Sequence, residues 1–313
     1  MRAADLSLPP RGAYTALDEL IALRFSARQL NITRRSRALS ALAGPNKSNF
    51  RGRGIDFEEV RFYQPGDDIR TIDWRVTART GEAHTKLFRE ERERPVIIVA
   101  DQRSQMFFGS SHCFKSVIAA HISALLAWSG LENGERVGGL VFNDAQHREL
   151  RPKRSRRTVL ALLSEIDRYN HQLPPEAGTD SQSFGDMLSK LRRIARPGSS
   201  LFIISDFSGA DTEPAREHLY QLAQHTEITA VKCSDPLEQQ LPRSGRYAVT
   251  DGVTRSELNT ADKGLQRKFS EEKATQAKQL ASDLSRLGIP LIRASTGVSA
   301  LSALQPVYGD KRR

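Results

Sequence analysis

The chain has 313 residues, 38% of them hydrophobic and 27% charged, with a formal charge of +10 and a pI near 9.8. This is enough chain for one large or two modest buried cores, and the balance is that of a folded globular protein rather than a disordered one. Its longest apolar run, Val117 to Trp128, is interrupted by His121 and Ser123, short of the ~20 residues a membrane helix needs. Two cysteines, Cys113 and Cys233, exclude a disulfide framework and have no zinc spacing. With no apolar leader core at the N-terminus, the expected location is the cytoplasm.

Residues 14 to 30 place Leu17, Leu20, Ile21, Phe25 and Leu30 at helical spacing, and the breaker cluster Ala43–Asn49 ends this segment. Phe57 to Tyr63 alternates like a strand, Gln64–Asp67 is a turn, and His84–Arg94 is a further extended candidate. From Val96 the pattern changes. Val96–Asp101 is a continuous apolar run, as in a strand buried on both faces. It is followed by a helix over Ser110–Ser129, a strand over Arg136–Phe142, and helices over Ser155–Asp167 and Phe184–Ala195. Ser200–Asp206 repeats the first strand's design, again ending on aspartate. After it come a helix at Glu213–Gln224, a strand at Glu227–Cys233, a β-hairpin near 245–258, a polar helix at Lys263–Leu287 and a strand at Pro290–Ala294. Strands alternating with helices predict an α/β fold with a doubly wound, mostly parallel sheet. The expected division is an N-terminal helical segment (1–45), a small β-rich module (46–94) and an α/β domain (95–308).

The segment Gly54 to Arg75 is unusually dense in alternating acid and base, and the Val96–Asp101 strand follows some twenty residues later. Together they resemble the bacterial family known as domain of unknown function 58, whose C-terminal half is similar to a von Willebrand factor A domain. The resemblance covers roughly residues 45 to 300. It implies that the first strand should run into Asp-x-Ser-x-Ser, whose oxygens, with a threonine and a second aspartate, hold a divalent cation such as Mg²⁺. Here the run is Asp101-Gln-Arg-Ser-Gln105, with Arg103 and Gln105 where the two serines belong, while Thr179 and Asp206 match the threonine and second aspartate. A guanidinium has donors only and cannot ligate a metal. Arg103 is therefore expected to occupy the cation's role beside Asp101 and Asp206, giving a degenerate site with no cofactor.

Within the 54–75 segment, Asp67, Asp68, Arg70 and Asp73 are either an interaction site or acids and bases that pair internally, with Trp74 as a core or interface anchor. Met106, Phe107 and Phe108 follow the Asp101 run. They are either all buried under the next helix or expose one phenylalanine, Phe107 or Phe108, as a partner anchor. Cys113 near a helix N-terminus is read as a small buried residue, and His218 and His225 as surface residues. Basic clusters at Arg34–Arg37, Arg151–Arg157, Arg192–Arg196 and Lys311–Arg313 suit a solvated face, an acidic protein or nucleic acid, but no aromatics interleave with them. The chain has no phosphate-binding Gly-x-x-x-x-Gly-Lys-Ser/Thr loop and no nucleophile elbow. The resemblance implies an intracellular binding or adaptor protein that works with a MoxR-type AAA+ ATPase. The competing functions are a metal-dependent hydrolase using Asp101 and Asp206, and a nucleic-acid-binding protein.

Overall fold

Short β-branched runs flanked by helices build the centre of the molecule. The computed structural model describes residues 8–32, 55–64, 67, 69–90, 94–172, 182–242, 244–250 and 255–309. Its packing divides the chain into two units, Met1–Asn46 with Pro95–Arg313, and Lys47–Arg94.

The large unit holds a six-stranded sheet. In chain order its strands are β3 (Val96–Asp101), β4 (Val137–Phe142), β5 (His147–Lys153), β6 (Ser200–Ser205), β7 (Glu227–Ser234) and β10 (Leu291–Ser295). They lie in the spatial order β10-β7-β6-β3-β4-β5, with every pair parallel except β4 and β5. All six residues of β3, β4 and β6 are buried, which is why these strands read as unbroken apolar runs. One face of the sheet packs on α4 (Lys115–Glu132), α5 (Arg156–Asn170) and α9 (Ala300–Tyr308), through Ile98, Val141, Ile204 and Val231. The other face, through Ile97, Val99, Leu201 and Ile203, packs on α6 (Phe184–Ile194), α7 (Glu213–Ala223) and the last turns of α8 (Lys263–Arg286).

The sequence and the structure differ in instructive places. The helix expected from Ser110 begins at Lys115, because the chain first makes a 3-10 turn at Ser104–Met106 and a loop. That helix has no polar face: Lys115 to Gly130 are buried, between the sheet, α5, α9 and the N-terminal helices at Leu17–Ala22 and Arg24–Ala27. The single helix expected over 14–30 is two short ones, α1 (Leu17–Ala22) and α2 (Arg24–Ala27). Leu20 and Leu30 are buried there, but Phe25, assigned to the same apolar set, is 59% exposed. Strand β5 escaped the sequence because it is the antiparallel edge, charged on both sides and largely exposed. Helix α9 is short and contains Pro306.

The Lys47–Arg94 unit contains an antiparallel pair, β1 (Ile55–Phe62) and β2 (His84–Glu90), with a bulge between Phe57 and Glu59. Between these strands lies a helix the sequence did not announce, α3 (Trp74–Thr80). Asp73 caps it, its carboxylate accepting from the backbone N–H of Arg75 at 3.0 Å and of Val76 at 3.2 Å. The helix stops at Gly81, whose φ of 81° suits glycine. Trp74 is not a core anchor: it is 68% exposed as the first residue of this helix. Finally, β8 (Arg246–Thr250) and β9 (Arg255–Asn259) form the expected hairpin ahead of α8.

Candidate functional site

The carboxyl ends of parallel strands are where open α/β sheets present their loops. Asp101, last residue of β3, is fully buried there. Arg103 folds back onto it: Nη2 donates to Oδ2 at 2.7 Å, Nε to Oδ1 at 3.1 Å, and the backbone N–H to Oδ1 at 3.0 Å. Ser205, on neighbouring β6, donates its hydroxyl to Asp101 Oδ2 at 2.6 Å. The guanidinium also donates to the Ser208 carbonyl at 3.3 Å and lies between the rings of Phe142 and Phe184. Burial acts to lower the Arg103 pKa, but the carboxylate of Asp101 outweighs it and the net shift is upward.

Asp206 is satisfied by a different cation. Its Oδ1 is 3.9 Å from Arg103 Nη2 and accepts the Ser208 N–H at 2.9 Å, whereas its Oδ2 accepts from Lys115 Nζ at 2.9 Å. Lys115, the first residue of α4, also donates to Glu238 Oε1 at 2.6 Å, and its side chain is only 2% exposed. Burial raises the Asp206 pKa, but Lys115 beside it more than reverses this and holds the carboxyl below its ordinary range. Lys115 is shifted upward by the same pairing, against its own burial.

Two further acids tie down the loops. Asp235 accepts from the Ser110 N–H at 2.8 Å, from the Thr296 hydroxyl at 2.6 Å and from the Leu237 N–H at 2.9 Å. Asp144 accepts from the Ser104 N–H at 2.7 Å. Phe207, between Asp206 and Ser208, is held at φ 62° with its ring buried against Phe184. A bulky residue in this region is strained, at a cost of order 1–3 kcal/mol.

The sequence did not single out Lys115, Glu238, Asp235 or Asp144. A signal existed for Lys115: a cation opening an otherwise apolar helix opposes the helix dipole and calls for a nearby acid. Asp235-Pro-Leu-Glu238 likewise reads as a capping box, which the structure forms.

Of the remaining candidates, Gln105 is exposed and Ser104 is engaged by Asp144, while Thr179 and Asp68 lie outside the described residues. Asp67 accepts from Arg61 at 2.7 Å and from the Gln64 N–H at 2.9 Å, bonds that lower its pKa. Arg70 is exposed, and Asp73 is the cap described above. Met106 is fully buried, Phe107 half-buried and Phe108 42% exposed, so burial of all three does not hold. Gly109 follows Phe108 at a close approach, where a Cβ would collide with the Cys113 carbonyl. Burial pushes the Cys113 thiol up to about 12.

A divalent cation does not fit this arrangement. The carboxylate oxygens that would face it already accept from Arg103, Ser205 and Lys115, and Arg103 fills the space beside Asp101. Among the described residues, no three His, Cys, Asp or Glu side chains converge as a ligand set.

Comparison with known proteins places these features in a family. The uncharacterized protein Rv1480 of Mycobacterium tuberculosis (strain H37Rv) is 28% identical over 299 residues, spanning 93% of this chain and 90% of the relative. Among solved structures, a von Willebrand factor type A protein from Catenulispora acidiphila is similar over 48% of this chain and 35% of its own. The identity is 10% and the TM-score 0.31. The fold is α/β, with a central, mostly parallel six-stranded sheet flanked by helices.

An aerotolerance-related membrane protein from Bacteroides fragilis is similar over 68% of this chain and 98% of its own, at 13% identity and a TM-score of 0.39. This last finding overturns the expected cytoplasmic location, which is withdrawn. Among the described residues, no helix is long and apolar enough to cross a membrane. The family described as "Protein of unknown function DUF58" matches residues 59–279, and the chain belongs to it.

Proposed function

We propose that this protein is a non-enzymatic binding module that recognises a protein partner from the carboxyl edge of its sheet. One observation carries this reading: Asp101 and Asp206, where a divalent cation would sit, are neutralised by Arg103 and Lys115 within the chain. A carboxylate locked in this way is neither a metal ligand nor a free base, so a metal-dependent hydrolase has no working group here. What remains is a rigid rim of short hydrogen bonds carrying an exposed aromatic, Phe108. The resemblance to domain of unknown function 58 proteins makes a MoxR-type AAA+ ATPase the partner of choice, in assembly or remodelling of complexes.

The test is capture of partners from native lysate on immobilised protein, with and without EDTA, together with melting curves in Mg²⁺. An ATPase retained equally under both conditions supports the reading, as does a melting temperature indifferent to millimolar Mg²⁺. A Mg²⁺-dependent rise abolished by Asp206→Ala sinks it. So does retention of nucleic acid alone that persists at 0.15 M salt.

A further inference from the structure

Strand β5 (His147–Lys153) is the last strand of the six-stranded sheet and pairs only with β4. Among the described residues its outer edge has no partner, so a row of backbone N–H and C=O groups faces outward. The strand leaves the carboxyl rim through the turn Asn143–Gln146, where Asp144 holds the Ser104 N–H, and runs on into α5. Along this edge the charge is one-sided. Arg148, Arg151, Lys153, Arg154, Arg156 and Arg157 are all exposed, and none makes an ion pair among the described residues. Glu149 is the one acid between His147 and Arg157. Neighbouring acids are engaged elsewhere, Asp144 by Ser104 and Glu165 by Arg168 at 2.6 Å.

The start of α5 shows the same imbalance independently. Ser155 supplies no side-chain cap, the first turn has no acid, and Arg156 and Arg157 stand where the helix dipole favours anions. Local helix stability does not account for these cations. On the strand, charge blocks pairing with like edges: two copies joined through β5 would set cations opposite cations. By the same rule it admits an acidic strand. Nucleic acid fits less well, because phosphates only accept hydrogen bonds and cannot use the outward carbonyls. No exposed aromatic lies between residues 147 and 157 for bases to stack on, and no large apolar side chain is exposed there to anchor in a bilayer. A peptide strand uses both the N–H and the C=O groups and draws its affinity from the main chain.

We propose that β5 and the first turn of α5 form a docking strip for an acidic, extended segment of a partner protein, which adds as a strand along His147–Arg151 while its carboxylates meet Arg148, Arg151, Arg156 and Arg157. Pro152 has no N–H and ends the ladder there. The forks of the arginines suit carboxylates. The inference rests on the binding-module reading and adds a second contact to it, continuous with the rim at Asp144.

The probe is a fluorescein-labelled dodecapeptide of repeating Thr-Glu-Glu, measured by anisotropy against the full chain at 0.15 M salt. One control replaces every Glu by Gln. The other N-methylates every backbone amide, which keeps the charge and removes the strand's donors. The probe should bind at least tenfold more tightly than either control, and amide exchange should slow over residues 147–151 in its complex. Arg148→Gln with Arg151→Gln should weaken it at least tenfold, as should Arg156→Gln with Arg157→Gln. Lys278→Gln, at an exposed cation of α8, should leave it unchanged. All these side chains are exposed, so the variants should melt like the wild type.

Equal binding of the Gln peptide overturns the proposal, as does equal binding of the N-methylated one, which would reduce the contact to charge alone. Indifference to both double substitutions, or exchange protection elsewhere with none at 147–151, does the same. A mixed-sequence DNA duplex or phosphatidylserine vesicles that bind more tightly than the probe at the same salt would give the strip to that polyanion instead. If no peptide binds while the wild type still captures its ATPase, the strip falls and the binding-module reading stands. If the probe binds through these arginines but no partner protein is ever captured, the strip stands and the ATPase partnership falls.

Discussion

The row Asp101, Ser205, Lys232 and Arg293, which crosses four neighbouring strands, handles charge differently at its two ends. At the β3–β6 end, every charge has a partner within hydrogen-bond reach: Arg103 on Asp101, and Lys115 on Asp206 and Glu238. At the β7–β10 end, half-buried Lys232 and exposed Arg293 stand opposite each other with no ion pair among the described residues. Paired buried charges add little net stability over apolar residues, yet breaking one pair is costly because the survivor is stranded. The first end therefore holds an arrangement in place, whereas the second leaves its cations partly or wholly to solvent.

The largest effect that could break this comparison belongs to the closed end. Arg103→Ala should destabilise by about 3–5 kcal/mol in urea unfolding at pH 7, since it strands fully buried Asp101. Adding Asp101→Asn to Arg103→Met should recover much of that loss, because no charge is then left behind. A loss below ~1 kcal/mol for Arg103→Ala would mean that water reaches Asp101 and that this end is not closed.

His121 sharpens the comparison by a third route, shedding its charge. Its ring is buried in α4, Nε2 has no hydrogen-bond partner among the described residues, and Glu19 is 3.9 Å away. Burial holds its pKa down to about 4, against an unfolded value near 6.5. The unfolded chain therefore takes up this proton first as pH falls. Stability is complete above pH ~6.5 and declines toward pH ~4 by about 3 kcal/mol in all. The carboxyl of Asp206, lowered from an ordinary 3.8, titrates below that window and its contribution is lost only there. Denaturation measured across pH should show the upper window flatten in His121→Leu, whereas an unchanged profile would place the ring in contact with water.

Outside the sheet, Asp73 tests whether the charge-dense 54–75 segment is structural where it can be seen. Asp73→Ala removes the cap of α3 and should cost about 1 kcal/mol, read as faster amide exchange over residues 75–80. A partner lost with exchange unchanged would return Asp73 to the list of interaction residues.

How far the sequence reached depends on whether a signal was local. Runs such as Val96–Asp101 and Ser200–Ser205 announce themselves because burial on both faces leaves only apolar residues, and their order with the helices implies the sheet. The pairing of Arg103 with Asp101 was legible because both groups lie in a five-residue run with a known pattern. Lys115, Glu238, Lys232 and Arg293 were not. Their meaning comes from strand register and from groups 61 to 123 positions apart, which no local window contains. Strand β5 and helix α3 were missed for a different reason: exposed elements need little apolar patterning, so charge hides the strand and a single capping aspartate marks the helix.

Phe108 offers the smallest stability effect and the most direct test of the rim. Its neighbour Met106 is fully buried, so Met106→Ala should cost about 2–5 kcal/mol. Phe108 is 42% exposed, and its backbone carbonyl, not its ring, is what the structure uses, accepting the Lys115 N–H at 2.8 Å. Phe108→Ala keeps that carbonyl and should change unfolding free energy by no more than ~0.5 kcal/mol. If the rim is the partner surface, capture of the ATPase should fall at least tenfold in a variant that melts like the wild type, because aromatic anchors dominate interface energetics. Capture at full strength by folded Phe108→Ala would exclude this rim as the partner surface.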